Sequence, residues 1–140
     1  MTRIKTDLLV IGAGSGELSV AAGAAQMGAD VTLLEGHKMG GDCLNYGCVP
    51  SKALLAAGHA AHAMTQGAAM GITPTVPEID YAAAKDHVAR VIATIAPVDS
   101  QERFEGLGVR VIREFGAFTG PRIVQASDTT TTARRIVVAT

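Results

Sequence analysis

The fold is decided by the stretch from Leu8 to Glu35, which reads LLVIGAGSGELSVAAGAAQMGADVTLLE. Leu8 to Ile11 is a continuous aliphatic run, typical of a strand buried on both faces in a parallel sheet. Gly12 to Gly16 ends this strand, and small apolar residues then recur at helical spacing from Leu18 to Met27. Because Asp30 to Glu35 reads as a second strand, the stretch predicts a strand–helix–strand unit with parallel strands.

The remaining sequence predicts further helices followed by short strands. Cys43 to Met64 reads as a long alanine-rich helix with an irregular beginning, and Asp80 to Phe104 as an amphipathic helix that Pro97 kinks or splits. Four β-rich runs after Gly108 predict a small antiparallel meander, at 109–113, 115–119, 123–126 and 130–133. Residues 135–140 read as a separate buried strand. We therefore expect a three-layer α/β domain whose first strand, residues 7–11, is central.

Composition limits the class of protein and its partners. With 140 residues, 48% of them hydrophobic, and a net charge of −1, the sequence describes one ordinary globular domain. The 12 Lys and Arg nearly balance the 13 Asp and Glu, so we expect neither nucleic acid nor a membrane as a partner. The first apolar run is too short for a signal peptide or a membrane span. We expect a cytoplasmic protein, in which a structural disulfide between Cys43 and Cys48 would be rare.

The glycine run after the first strand favours dinucleotide binding. Gly12 permits a tight turn, Gly14 lets the backbone approach a pyrophosphate, and the following helix start attracts an anion. Glu35, which lies 23 residues after Gly12, is placed to accept hydrogen bonds from ribose hydroxyls. A purely structural turn is the alternative. The third glycine of the fingerprint is replaced by Glu17, whose charge would lie near the phosphates, so we expect Glu17→Gly to tighten binding.

A second constellation, GGDCLNYGCVPSK, runs from Gly40 to Lys52. Its two cysteines are five residues apart at the start of a predicted helix, and both the helix start and Lys52 favour a thiolate. A zinc site would need four ligands, which the sequence does not supply, so we predict no metal site. Inert buried thiols are a second alternative. We favour a reversible disulfide and predict that Cys43 and Cys48 are bonded or lie within easy reach of each other.

These motifs together resemble the class I pyridine nucleotide-disulfide oxidoreductases, the family of dihydrolipoamide dehydrogenase, glutathione reductase and mercuric reductase. The resemblance implies a Rossmann-like FAD-binding domain with a central parallel sheet and a small antiparallel meander. It also implies that residues 1–140 are the amino-terminal part of a longer oxidoreductase, without its nicotinamide and dimerisation domains. Arg135 to Thr140 resembles the strand that leads to the family's Ala-Thr-Gly motif.

The resemblance also assigns roles to individual residues. It places Gly12, Gly14, Ser15 and Gly16 at the FAD pyrophosphate and Glu35 at its ribose. Cys43 would attack the substrate, Cys48 would lie against the flavin, and Lys52 would lie near the flavin's reactive nitrogen. Catalysis would thus rest on Cys43, Cys48 and Lys52, and the cofactor site would further include Gly40, Gly41, Asp42, Gly116, Ala117 and Thr140. Two residues depart from the family pattern: Glu17 replaces a glycine and Asp42 replaces a threonine.

The implied reaction moves electrons from NAD(P)H through FAD to the Cys43–Cys48 disulfide and on to a small-molecule acceptor. A dihydrolipoamide dehydrogenase-like activity is the leading hypothesis. The alternatives are a mercuric reductase and, in a different class, a non-catalytic flavin-binding or assembly module. In the family a homodimer supplies a catalytic histidine from the partner subunit. His37, His59, His62 and His87 do not match that histidine, and we expect each to be solvated.

Overall fold

Eleven helices and strands follow one another along residues 2–140, the part of the chain that this computed structural model describes. In chain order they are β1 (Thr2–Ile11), α1 (Ser15–Gln26), β2 (Val31–Leu34), α2 (Gly41–Asn45), α3 (Cys48–Ala63), α4 (Tyr81–Ile95), α5 (Gln101–Gly106), β3 (Arg110–Ile112), β4 (Ala117–Gly120), β5 (Ile123–Ala126) and β6 (Thr129–Val138). Short 3₁₀ turns at Ala68–Met70 and Ala96–Asp99 interrupt the connections.

The strands form one six-stranded sheet in the order β3-β2-β1-β6-β5-β4. β1 is central and runs parallel to β2, with Leu8 opposite Val31, and parallel to β6, with Leu8 opposite Arg135. β3 extends the parallel part beyond β2, whereas β4, β5 and β6 pair antiparallel. The predicted central first strand, its parallel partner β2 and the antiparallel meander are therefore confirmed.

The helices α1 and α5 cover one face of the parallel strands, and β5 of the meander packs on the other. Successive residues of a strand point to opposite faces, so Val10 packs with Leu18 of α1 and Phe104 of α5. Leu9 packs with Val124 and Ala126 of β5 instead. All six side chains are buried. The predicted three-layer α/β architecture is thus confirmed, with the meander as the third layer.

Three of the predicted elements have different bounds or partners. The run at 109–113 does not belong to the meander, because β3 pairs parallel with β2. The runs at 130–133 and 135–140 are not separate strands, since β6 continues through both. Arg134 and Arg135 lie in β6 without ending it because both side chains are exposed, and Arg134 pairs with Asp7 on β1 at 3.1 Å.

The helix predicted from Cys43 to Met64 is two helices. The backbone N–H groups of Tyr46 and Gly47 both donate to the Asp42 carbonyl oxygen, at 2.8 and 2.7 Å, and this turn separates α2 from α3. A Cβ atom at Gly47 would lie 3.1 Å from that oxygen, so a side chain there would pack tightly against the turn. Cys43 therefore lies in α2, and Cys48 is the first residue of α3.

The other helices agree more closely with the sequence. α1 begins at Ser15 rather than Leu18, because the first turn of a helix has free N–H groups and tolerates glycine. The chain leaves α4 through a 3₁₀ turn that contains Pro97 before α5 begins, which confirms the predicted split. α3 and α4 pack on each other. No helix within residues 2–140 is both long and apolar enough to cross a membrane.

Candidate active site

One cavity of about 590 Å³ lies beyond the carboxyl ends of β1 and β6, beside α1 and α2. In open α/β sheets ligands bind at this end of the strands. The cavity brings together most of the residues predicted for the site. Its lining consists of Gly12, Ala13, Gly14, Ser15, Gly16, Glu17, Glu35, Gly41, Asp42, Cys43, Cys48, Ala139 and Thr140.

The glycine loop is fixed to the end of β2 by Glu35. The backbone N–H of Gly12 donates to the Leu34 carbonyl oxygen at 2.8 Å, and Gly12 adopts a left-handed φ of 105° that favours glycine. The N–H of Ala13 donates to Glu35 Oε2 at 2.8 Å, and the N–H of His37 donates to Oε1. Each carboxylate oxygen keeps acceptor capacity for a further donor, as a ribose hydroxyl would require.

The start of α2 lies directly against the glycine loop. Gly41 has a left-handed φ of 56°, and a Cβ atom there would lie 2.6 Å from the Cα of Gly14. The two backbones can approach this closely only because Gly41 lacks a side chain. Gly40, also left-handed, precedes α2 and is buried against Leu44 rather than lining the cavity. The contact between Gly41 and Gly14 holds α2, which carries Cys43, beside the glycine loop.

The two cysteines face each other across the break between α2 and α3. Both thiols are free, Cys43 is half-buried and Cys48 is exposed. A side-chain hydrogen bond to Cys48 raises the pKa of the Cys43 thiol, and desolvation adds to this. The prediction that the sulfur atoms lie within easy reach is therefore confirmed. The positive charge of Lys52 lowers the Cys43 pKa, as expected, but the hydrogen bond outweighs it.

Four predicted site residues lie outside the cavity lining. They are Gly40, Lys52, Gly116 and Ala117. Lys52 is exposed on α3, one helical turn after Cys48. Gly116 lies against Val124 and Leu34, and a Cβ atom built on it would be 2.7 Å from Val124 and 2.8 Å from Leu34. The packing of Val124 and Leu34 thus leaves little room for a side chain at this position.

The histidines do not contribute to the cavity. Their side chains are all exposed, as expected, at His37, His59, His62 and His87. Within residues 2–140 no group of three or more His, Cys, Asp or Glu side chains is arranged to hold a metal ion.

Sequence reasoning missed three residues of this lining: Ala13, Glu17 and Ala139. Ala13 acts through its backbone N–H, a group that every residue except proline carries, so its side chain gives no signal. Glu17 was recognised as a departure from the glycine fingerprint, but not as a lining residue. It is only 5% exposed, and its carboxylate turns toward the glycine loop rather than toward solvent.

Comparison with known proteins agrees with this geometry. The sequence profile of the family described as pyridine nucleotide-disulphide oxidoreductase matches residues 6–140. The chain is 34% identical over 137 residues to dihydrolipoyl dehydrogenase 2, chloroplastic, from Arabidopsis thaliana, covering 96% of this chain and 24% of that protein. It is 45% identical over 89 residues to dihydrolipoyl dehydrogenase from Bacillus subtilis, covering 64% and 19% respectively.

A mercuric reductase shows a similar extent of likeness. The Lysinibacillus sphaericus protein of that name is 29% identical over 134 residues, covering 96% of this chain and 24% of the relative. The chain thus spans about a quarter or less of the length of these curated relatives. On the family profile, which covers nearly all of its residues, the chain belongs to the pyridine nucleotide-disulphide oxidoreductase family.

Proposed function

We propose that residues 1–140 form the amino-terminal, FAD-binding part of a flavin-dependent disulfide oxidoreductase. The observation that carries this proposal is that the facing thiols of Cys43 and Cys48 line the same cavity as the glycine loop. A dinucleotide held by that loop and a redox-active disulfide would therefore share one site.

The residues of the cavity fit an adenine dinucleotide in most respects. Gly12 and Gly14 border a space in the cavity lining, the anion cradle, which neither residue fills with a side chain of its own. The start of α1 directs free N–H groups at this cradle, which suits a pyrophosphate. Two backbone N–H groups orient Glu35, whose carboxylate would accept hydrogen bonds from a ribose. The side chain of Glu17 is the one group that must withdraw to make room.

The bound flavin would supply the relay of an electron pair from a nicotinamide to the disulfide. The Cys43–Cys48 bond takes up two electrons and two protons and becomes two thiols. Loss of its proton lets the Cys43 sulfur attack a disulfide substrate, which forms a mixed disulfide and releases one thiol. The Cys48 sulfur then attacks Cys43, which releases the second thiol and restores the intramolecular bond.

We propose that the electron acceptor is a small-molecule disulfide and that the enzyme resembles dihydrolipoyl dehydrogenase, because proteins of that name are similar to this chain. Reduction of mercuric ion is the second candidate, favoured by the likeness to a mercuric reductase. The nicotinamide site, the proton donor and the dimer contacts would belong to parts of the enzyme outside residues 1–140. This chain by itself is then expected to hold flavin without completing the reaction.

The test compares flavin content with turnover. The purified 140-residue chain should retain FAD, visible in its absorbance spectrum. It should not oxidise NADH or NADPH steadily with lipoamide, oxidised glutathione or mercuric ion. The reduced chain should still exchange with a small disulfide, and Cys43→Ser should abolish mixed-disulfide formation at that position, with Cys48→Ser as the matched control.

Two results would contradict the proposal. Failure of the folded chain to bind FAD would refute the cofactor assignment, leaving an assembly module. Steady nicotinamide-driven turnover by the verified 140-residue chain would refute the assignment as an incomplete part. The acceptor that supports turnover in the complete enzyme would separate the lipoamide and mercury hypotheses.

A further inference from the structure

Glu17 places a carboxylate inside the loop that the fingerprint keeps free of side chains. It lies in the first turn of α1 and is only 5% exposed. A Cβ atom built on Gly12 would lie 2.9 Å from Glu17 Oε1, and one built on Gly14 would lie 2.9 Å from Oε2. One carboxylate oxygen therefore rests on each of the two glycines.

This is the space that a dinucleotide pyrophosphate requires. Glycines at these two positions allow the backbone to approach a phosphate group, and the helix start favours a negative charge there. The Glu17 carboxylate is an anion of the same sign at the same place. A pyrophosphate and this carboxylate cannot occupy the cradle together, because they would overlap and repel each other.

No other charge in the lining offsets that of Glu17. The titratable groups that face the cavity from the neighbouring elements are Glu35, Asp42 and the two cysteine thiols. Glu35 is engaged by the N–H groups of Ala13 and His37. Within the described residues, the lining includes no Lys or Arg. Glu17 lies in the first turn of α1, where the helix dipole favours a negative charge.

We propose that Glu17 occupies the anion cradle of the ligand-free protein and competes there with the dinucleotide pyrophosphate. This inference rests on the proposed FAD function, since it names the group that FAD must displace. It requires that Glu17 lowers the affinity of the chain both for FAD and for inorganic pyrophosphate, the anion that would fill the cradle. Charge and volume contribute separately to this competition.

The experiment measures dissociation constants of FAD and of inorganic pyrophosphate by calorimetry for the 140-residue chain and three variants. Glu17→Gln keeps the side-chain volume and removes the charge, and Glu17→Gly removes both. Glu102→Gln is the matched control, because Glu102 also lies in the first turn of a helix but is exposed on α5. Thermal unfolding of each ligand-free variant verifies that it is folded.

We expect Glu17→Gly to bind both probes at least about tenfold more tightly and Glu17→Gln to bind them about threefold to tenfold more tightly, with Glu102→Gln unchanged. The gain in Glu17→Gln should shrink at high salt, since it is electrostatic. The inference is overturned if both Glu17 variants bind the two probes no more tightly than the original chain. It is also overturned if Glu17→Gln binds them more weakly.

Failure of the proposed function has a different signature. If the Glu17 variants gain affinity for pyrophosphate while neither they nor the original chain binds FAD, the cradle inference holds and the FAD assignment fails. If no variant binds either probe, both are refuted.

Discussion

Replacing Gly41 with alanine tests the contact that holds the cysteine-bearing helix against the glycine loop. The new Cβ atom would lie 2.6 Å from the Cα of Gly14, where ordinary contacts begin at 3.4 Å. The Cβ atom is attached directly to the α2 backbone, and the Cα of Gly14 is itself a backbone atom. A side-chain rotation therefore cannot relieve the contact, and α2 or the glycine loop must move by about 0.8 Å. We expect overpacking to cost about 1–3 kcal/mol. The left-handed φ of 56° adds about 1–2 kcal/mol.

Gly28→Ala is the matched control for this prediction. Gly28 follows α1 with a left-handed φ of 87°, and a Cβ atom there would meet nothing within 4 Å. It therefore carries the conformational cost without the collision. The free energy of unfolding from urea titrations should fall by about 2–5 kcal/mol for Gly41→Ala and by only about 1–2 kcal/mol for Gly28→Ala. Equal losses in the two variants would refute the close approach of Gly41 and Gly14.

Three further predictions follow from single side chains. Cys48→Ala should lower the pKa of Cys43, because the hydrogen bond that raises it is lost. The alkylation rate of Cys43, measured against pH, should then have its midpoint at a lower pH. An unchanged midpoint would contradict the paired geometry of the two thiols. The pKa of Asp7 is lowered by the backbone N–H of Asp30 and by Arg134, so its stabilisation is present above the ordinary value of 3.8 and is lost as pH falls through the lowered value. Unfolding of Asp7→Asn should accordingly be less sensitive to acid than that of the original chain, and equal acid sensitivity would count against the pairing. Phe104→Ala removes a ring that is only 1% exposed and should lower the free energy of unfolding in urea by about 3–5 kcal/mol. A loss below about 1 kcal/mol would show that α5 does not complete the core.

The local part of the fold could be predicted because its signals are local. The aliphatic run before Gly12, the glycines after it and the helical spacing that follows determine a strand–turn–helix without reference to distant residues. The bracketing of a glycine by Cys43 and Cys48 is equally local. These features predicted the central strand, its parallel partner and the cavity residues at the start of α1.

Partners far along the chain gave no such signal. Alternation shows that residues 109–113 can form a strand, but not that β2 rather than the meander is its neighbour. The sequence predicted separate strands at 130–133 and 135–140, because the ion pair of Arg134 with Asp7 and the exposure of both arginines in β6 depend on the assembled sheet. The orientation of Glu17 likewise depends on the loop geometry around Gly12 and Gly14, which residue identity alone does not specify.

The pairing of β1 with β6 bears on the order of events in folding. Asp7 and its partner Arg134 are 127 positions apart, so the longest pair of strands joins nearly the whole length of the chain. Closing so large a loop costs conformational entropy before any contact repays it, and sheets built from distant strands fold slowly. While the ribosome is still making residues 12–128, one edge of β1 has no strand to pair with. A nascent chain stalled before Thr129 would present that open edge to other strands, which makes late synthesis the stage most exposed to aggregation.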